Sequence, residues 1–518
     1  MARTTSTRTY GKRATRSTAE RLFAELPQSP VRKGNAKPAE DDISAVTGQL
    51  AKVEIKDDAA PPKDKPTKKP ATKKASTKRT VSPKCEKPEP AVVDLTLGET
   101  EKPAERTLQI AARSPDKPKQ VQGGVASEDV PPLTWADVCP LTDRIDKIAE
   151  ASYAEVYRIT NERGTSIIKV IRLDSPIKPQ TKAQTQSGLV DEEPHSEDDV
   201  QGELQISEWL ADIPGFVIYK ERYIVQGKAT KGLLETHQKF QRRMKRQDPG
   251  RAQFYPSPSR YLPTTKFLVV ELGDAGKALE DWELKSESQL WDIFFLEAIA
   301  LARAEDMAMF EHRDLHEGNL CIKQSSKPRA RDPDSINFFG HSGLDITILD
   351  YGLSRAEDLS IDFAKPVAFD LEKDLSLFTS THASQCDVYR RMRSYLMGNT
   401  RKCLPPEEHD TPYPQGVDGP LSWDAYAPYT NVLWLAYLYK YMVAHFAGDP
   451  AELLFFRKQT KQMWRHLNPD AKETVPCFGS AADVVCFAVE AGWIREDQIM
   501  GAGSSMLERE DSIISVRR

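Results

Sequence analysis

The chain has 518 residues, with 72 Lys and Arg against 77 Asp and Glu, for a net charge of −5. Seven scattered cysteines without a Cys-x-x-Cys pair argue against a disulfide or zinc framework and for a reducing compartment. The first residues lack the apolar core of a signal peptide, and the richest apolar stretch, 432–446, is broken by Lys440 and His445, so neither secretion nor a membrane span is expected.

Residues 1–130 are rich in Lys, Pro, Thr, Ser and Ala and show no sustained apolar periodicity. Such a segment cannot bury enough surface to offset its ordering entropy and is expected to be a disordered, regulatory or targeting tail. It carries 26 basic and 18 acidic residues, +8, which leaves 46 and 59, −13, for the remainder. The basic tail suits a polyanion such as nucleic acid, and the acidic remainder suits a basic substrate.

From 131 onward the patterning changes. Residues 145–159 read as strand, turn, strand, and Gly164 breaks the chain before the strand Ser166-Ile167-Ile168-Lys169-Val170-Ile171. Residues 175–199 form a polar, acidic insertion. Leu204, Ile206, Trp209 and Leu210 then suit a helix, whereas Phe216-Val217-Ile218-Tyr219 is short and ambiguous. Lys266-Phe267-Leu268-Val269-Val270-Glu271-Leu272 reads as a buried strand, and helical spacing follows at 289–310, 431–446 and 453–466. Strands first and helices later predict an α+β, two-lobed fold, and with Asp314, Asn319 and Asp350 on the chain they match a protein-kinase-like one. Its small lobe spans 131–275, its large lobe 276–500, and a short tail 501–518.

The chemistry concentrates in Phe310-Glu311-His312-Arg313-Asp314-Leu315-His316-Glu317-Gly318-Asn319-Leu320 and, downstream, Thr347-Ile348-Leu349-Asp350-Tyr351-Gly352. An Asp and an Asn five positions apart, with a second Asp after an apolar strand, are the set with which protein kinases orient a hydroxyl and hold magnesium on ATP. Asp314 is expected to accept the hydrogen bond of the attacking hydroxyl, and Asn319 and Asp350 to hold the metal.

The small lobe supplies the rest. Lys169, in an apolar strand, fits the lysine that neutralises the ATP phosphates. Glu203 is the chosen carboxylate partner, with Glu192, Glu193, Glu197 and Glu208 competing. In place of a Gly-x-Gly-x-x-Gly loop stand Ala149-Glu150-Ala151-Ser152-Tyr153-Ala154. Because a methyl restricts positive φ and close approach to phosphate, weakened nucleotide binding is expected there. Ala149, Ala151, Ala154, Glu271 and Leu272 complete the expected ATP contacts.

Together with Ile348 to Arg355, Asp387-Val388-Tyr389-Arg390 and Pro428-Tyr429-Thr430-Asn431-Val432-Leu433-Trp434-Leu435, the catalytic run resembles the haspin family of divergent protein kinases over roughly 140–450. His316 in place of the usual lysine, Asp-Tyr-Gly in place of Asp-Phe-Gly and the lack of a convincing Ala-Pro-Glu all match that family; Pro405-Pro406-Glu407 is a decoy. His316 joins Asp314 and Lys169 in the catalytic set on this basis. The resemblance implies an activation segment that needs no phosphorylation, and transfer to the third residue, a threonine, of the histone H3 tail in mitotic chromatin. A tail so basic calls for carboxylates, and after Asp350 come Glu357, Asp358, Asp362, Asp370, Glu372 and Asp374. Asp370, Glu372 and Asp374 are the expected substrate contacts.

The tail adds short motifs. Residues 63–79 hold eight basic residues suited to nuclear import and loose DNA or chromatin binding. Val92-Val93-Asp94-Leu95-Thr96 has the form of a SUMO-interacting strand, Arg8-Thr9-Tyr10-Gly11 that of a cohesin-docking motif, and Ser29-Pro30 and Ser114-Pro115 that of cyclin-dependent kinase sites. Ala2-Arg3-Thr4 repeats the order with which the H3 tail begins, which makes Thr4 a candidate for modification in cis. The expectation is a nuclear, monomeric, ATP- and magnesium-dependent kinase. A chromatin-bound pseudokinase scaffold and a kinase for another basic substrate are the alternatives.

Overall fold

Period-two patterning explains the first layer of this computed structural model, which describes residues 132–501 and 511–514 apart from 152, 187, 188, 190, 252, 254, 362 and 418. After a short helix α1 (Trp135–Val138) come β1 (Arg144–Glu150), β2 (Glu155–Asn161) and β3 (Gly164–Arg172). Then follow α2 (Lys182–Gln186), α3 (Glu197–Leu210), β4 (Tyr219–Gln226), α4 (Lys231–Gln247) and β5 (Lys266–Leu272). The strands pair antiparallel in the order β1-β2-β3-β5-β4. Alternate residues serve two cores. Tyr157, Ile168, Val170, Phe267 and Val269 pack with Trp135, Leu233, Ile513 and Ile514 on one face. Ile171, Leu268 and Val270 pack with Val200 and Leu204 of α3 on the other.

Three features differ from the sequence expectation. The acidic insertion is partly structured: Glu192 is buried against Arg172 at 3.2 Å, Asp191 pairs with Arg260, and α3 already starts at Glu197. Ser196 and Asp199 close a capping box there, which satisfies the free N–H groups of the first turn. The 17-residue α4, absent from the sequence expectation, buries Leu233, Thr236, His237 and Phe240 along one face. Residues 511–514, expected in a terminal tail, return to the small lobe, where the Ile513 N–H donates to Glu271 at 2.9 Å.

The large lobe is built around α5 (Glu287–Ala308), which buries Leu290, Trp291, Phe294, Phe295, Ala298, Leu301 and Ala304. It packs against β8 (Leu344–Ile348) and the later helices α8 (Tyr429–Ala444), α9 (Pro450–Gln459) and α11 (Ala481–Glu490), while α10 (Lys461–Leu467) packs on α8. Before α5 lies β6 (Lys277–Ala278); after it, β7 (Leu320–Gln324) and β8 (Leu344–Ile348) complete a three-stranded sheet whose β7–β8 hairpin carries the candidate site at its ends. The pair β9 (Arg355–Ala356) and β10 (Val367–Ala368), α6 (Ser376–Thr379), α7 (Gln385–Gly398) and α12 (Glu496–Gly501) complete the chain. The fold is therefore α+β, a sheet-rich small lobe joined to a helical large lobe. Phe216 bridges them, its ring 5.4 Å from Phe310 and 6.1 Å from Tyr351. The motifs expected at Thr4 and 8–11, 29–30, 63–79, 92–96 and 114–115 lie outside the described residues.

Candidate active site

Strand alternation turns Lys169 toward α3, and Glu203 in the second turn of α3 meets it. Their charged atoms are 2.6 Å apart, and the Asp350 carboxylate lies 3.7 Å from the same ammonium. Asp350 holds φ +62, an uncommon conformation for a residue other than glycine, of the sort that surrounding structure must enforce at functional sites. Burial raises its carboxyl pKa, but Lys169 and the Gly352 N–H outweigh that and hold it below the usual range. Tyr351 is anchored beneath it, donating to the Ile348 carbonyl at 3.0 Å and packing edge-on against Phe310 and His312.

The catalytic run folds back on this segment through a short ladder. The Glu311 and Arg355 backbones exchange hydrogen bonds of 2.9 Å, and Leu349 donates to the Asn319 carbonyl. His312 is fully buried, with Nε2 at 2.9 Å from the Leu349 carbonyl and Nδ1 accepting from the Asp314 N–H at 3.2 Å. Since a carbonyl can only accept, Nε2 carries the proton and the ring is neutral. Burial agrees, pushing the imidazole down to about 4. Asn319 Nδ2 donates to the Asp314 carbonyl at 2.9 Å, which fixes the loop and leaves the amide oxygen for another partner. That oxygen and the Asp350 carboxylate form a hard donor set suited to a magnesium ion whose other ligands come from phosphate and water. Asp314 is buried, and burial pushes its carboxyl up to about 6. His316 Nδ1 accepts from the Gly318 N–H at 3.0 Å, and a Cβ at Gly318 would stand 2.8 Å from the imidazole.

The alanine loop differs from expectation. Glu150 pairs with Glu155 across the hairpin, Ala151 N–H donates to the Ala154 carbonyl at 2.8 Å, and no described residue of the loop has positive φ. Glycine is not needed for that conformation. Ala154 is fully buried with Ile171, Val200 and Leu204, so its methyl is part of the core. Tyr153 turns inward, its hydroxyl 3.1 Å from Lys169 and its ring 4.4 Å from the ammonium. Ala149 is exposed, and Ala151 packs at the edge of the same core with Leu272.

Two expected contacts need correction. Glu271 points its carboxylate to the back of the sheet, accepting from Ser166, Tyr223, Ser512 and Ile513, and its backbone lies in the ladder between β3 and β4. Glu372 is fully buried in a bidentate pair with Arg393 at 2.8 and 2.9 Å, and also accepts from Trp423 and the Tyr413 N–H. It is a structural anchor rather than a substrate contact. Asp370 and Asp374 remain half-buried beside it, accepting from the Glu372 and Ser376 N–H groups, with Tyr413 donating to Asp370. Glu357 pairs with Arg355, Asp358 binds Ser360, and Asp362 lies outside the described residues.

Sequence reading missed several groups. Arg313 is buried on Glu311, which also accepts from Ala427 and Thr430, so the arginine is held without a loop phosphate. Glu280 lies against Gly318, and burial with neighbouring Asp281 and Glu317 pushes its carboxyl up to about 7. Tyr389 of α7 donates to Asp314.

A family profile described as a haspin like kinase domain matches residues 102–481. The chain is 26% identical over 401 residues to the serine/threonine-protein kinase haspin homolog hrk1 of Schizosaccharomyces pombe, covering 72% of this chain and 71% of that protein. It is 26% identical over 387 residues to serine/threonine-protein kinase haspin of Mus musculus, covering 74% of this chain and 46% of that protein. Over 310 residues it is 26% identical to the Drosophila melanogaster haspin homolog, covering 56% and 47%. The chain spans about half the length of these two animal relatives.

Proposed function

The chain belongs to the haspin-like protein kinases, and from that premise we propose that it transfers the γ-phosphate of ATP to a threonine of the histone H3 N-terminal tail. One observation carries the catalytic part: Lys169 stands 2.6 Å from Glu203 and 3.7 Å from Asp350, in a chain that also keeps Asp314 and Asn319 on one loop. Lys169, aimed by Glu203, holds the ATP phosphates. Asp314 accepts the hydrogen bond of the threonine hydroxyl and takes its proton as the new P–O bond forms and the bond to the ADP oxygen breaks. Asn319 and Asp350 would hold magnesium, which when bound neutralises charge on the phosphates. The neutral His312 keeps the loop of Asp314 in register with the segment of Asp350.

A basic substrate is supported by the −13 balance of residues 131–518 and by Glu280, Asp281 and Glu317 beside the catalytic loop. Asp370 and Asp374 add carboxylates farther along the segment. We assign the protein to the nucleus and to mitotic chromatin, with the basic tail as its DNA contact and SUMO-modified or cohesin-associated proteins as its further partners.

The test is incubation of the full chain with ATP, magnesium and a histone H3 tail peptide, followed by mass spectrometry. Phosphate on the third residue is expected. Nucleotide binding without transfer would point to a scaffold, and transfer only to other basic peptides would replace the substrate.

A further inference from the structure

The catalytic loop fixes the backbone of Asp314 from both sides, through His312 Nδ1 at its N–H and Asn319 Nδ2 at its carbonyl. Neither contact fixes the carboxylate, which can still turn about its own side-chain bonds. That last freedom is removed by a residue 75 positions away: the Tyr389 hydroxyl donates to Asp314 Oδ1 at 2.5 Å. The donor is itself rigid. Tyr389 is 1% exposed, and its ring stands edge-on to the fully buried Trp434 at 5.6 Å. Its neighbour Arg390 donates to the Phe378 and Ser380 carbonyls, and Arg393, one turn on, holds Glu372. One helix, α7, therefore grips both the end of the activation segment and one oxygen of the catalytic carboxylate. The second oxygen, Oδ2, has no hydrogen bond among the described residues.

We propose that Tyr389 is a positioning residue for phosphoryl transfer, clamping Asp314 Oδ1 so that Oδ2 presents a lone pair to the acceptor hydroxyl. The inference rests on the reading of Asp314 as the group that receives that hydroxyl. Its physical basis is orientation. A carboxylate held at one oxygen loses the rotamers in which its other oxygen points away, and a charge-assisted hydrogen bond is strong enough to do this. A serine or threonine is too short to span from α7, and a basic donor would compete for the charge needed by the substrate. The segment lacks Ala-Pro-Glu as an anchor, and α7 supplies the anchoring through Arg390 and Arg393 while carrying the clamp just before them.

A tyrosine that merely fills the core and finds an acceptor makes different predictions. Tyr389→Phe keeps the ring against Trp434 and removes only the hydroxyl. In the full chain, with ATP, magnesium and a histone H3 tail peptide, this variant is expected to lose about tenfold or more in kcat, with the KM for ATP unchanged at a temperature where it stays folded. A second measurement, single-turnover transfer at high enzyme concentration, sets Tyr389→Phe in an Asp314→Asn background. There the substitution is expected to change the residual rate less than twofold, since the carboxylate it orients is gone. Wild-type kcat in Tyr389→Phe, or the same fold-loss in both backgrounds, overturns the proposal. If Asp314→Asn alone turns over at the wild-type rate, the reading of Asp314 fails first, and the clamp with it. A silent Tyr389→Phe beside a dead Asp314→Asn removes the clamp alone.

Discussion

The alanine loop and the activation segment both depart from the usual kinase pattern, and both are held by buried charge, but they are tied to different things. In the loop, Lys147 is buried among Tyr157, Phe240 and Tyr255 and pairs with Glu150 at 2.7 Å and with Glu155, the two residues that close the hairpin. Gln241 and Arg251 reach Glu150, His237 and Tyr261 reach Glu155, and Tyr255 donates to the Ala151 carbonyl at 2.6 Å. Every tie stays inside the small lobe. In the segment, Glu372 is tied through Arg393 to α7, the helix that also contacts Asp314. The contrast predicts that similar buried pairs act on different steps, the loop clamp on the nucleotide's surroundings and the segment clamp, through the proposed role of Tyr389, on transfer.

The largest expected effect isolates the transfer side. Asp314→Asn should lower kcat by roughly 10²–10⁴-fold with ATP affinity retained, because the lost contact belongs to the hydroxyl rather than to the phosphates. Nucleotide titration alongside peptide phosphorylation checks it. Lost ATP binding would merge the two regions.

Next, each clamp can be opened by removing its cation. Arg393→Met leaves Glu372 buried without its cation, and Lys147→Met removes the cation shared by Glu150 and Glu155, which keep only Arg251 and His237 beside them. Each should cost about 3–5 kcal/mol in chemical denaturation. At temperatures where both variants stay folded, Lys147→Met should raise the KM for ATP and Arg393→Met should lower kcat. Identical kinetic signatures would break the comparison.

Another carboxylate provides the contrast in pH. Glu297 of α5 is fully buried with neither oxygen hydrogen-bonded among the described residues, and burial pushes its pKa well above the unfolded value of 4.5. Below that value both states hold the proton and the group costs little through ionisation. As pH rises past it the unfolded chain ionises first, so stability falls by about 1.4 kcal/mol per pH unit until the folded-state pKa is reached. Glu372 has the opposite sign: burial raises it, but Arg393 and the Tyr413 N–H hold it below 4.5. Its contribution is present above 4.5 and is lost as pH falls toward the folded value. Glu297→Met should therefore gain stability over the parent as pH rises from 5 to 8, whereas the cost of Arg393→Met should shrink on acidification. Denaturant midpoints across pH measure both.

These contrasts also mark what the sequence could reveal. Asp314, Asn319, Asp350 and Lys169 were readable because phosphoryl transfer dictates residue type and offset, and strand alternation turns Lys169 toward α3. Glu203 was one of several acids, and only the start of α3 at Glu197 decides which turn faces the lysine. Tyr389 and Glu372 act through contacts across 75 and 21 residues, which no local pattern encodes. Glu372 and Glu271 were misread for one reason: an acidic side chain in sequence carries no sign of whether a buried cation or an N–H awaits it. The helix α4 was legible in principle, because Leu233, Phe240 and Met244 recur at helical spacing among charged residues.

The smallest expected effect concerns Ala154, where sequence reasoning and structure point in opposite directions. Alanine in place of the third loop glycine suggested a handicap for phosphate approach. The structure instead buries its methyl completely against Ile171, Val200 and Leu204, joining the loop to β3 and to α3, the helix of Glu203. Ala154→Gly removes that methyl and adds backbone freedom to the unfolded chain, so it should cost roughly 1–2 kcal/mol. The same change loosens the loop beside Tyr153, whose ring covers Lys169, and gives the backbone no conformation it needs, since φ is already negative at 154. The KM for ATP should therefore stay equal or rise, and thermal melting with ATP titration of the two proteins decides it. A lower KM in Ala154→Gly would restore the alanine as a handicap and shift the role of the loop from a packed hairpin to a phosphate cradle.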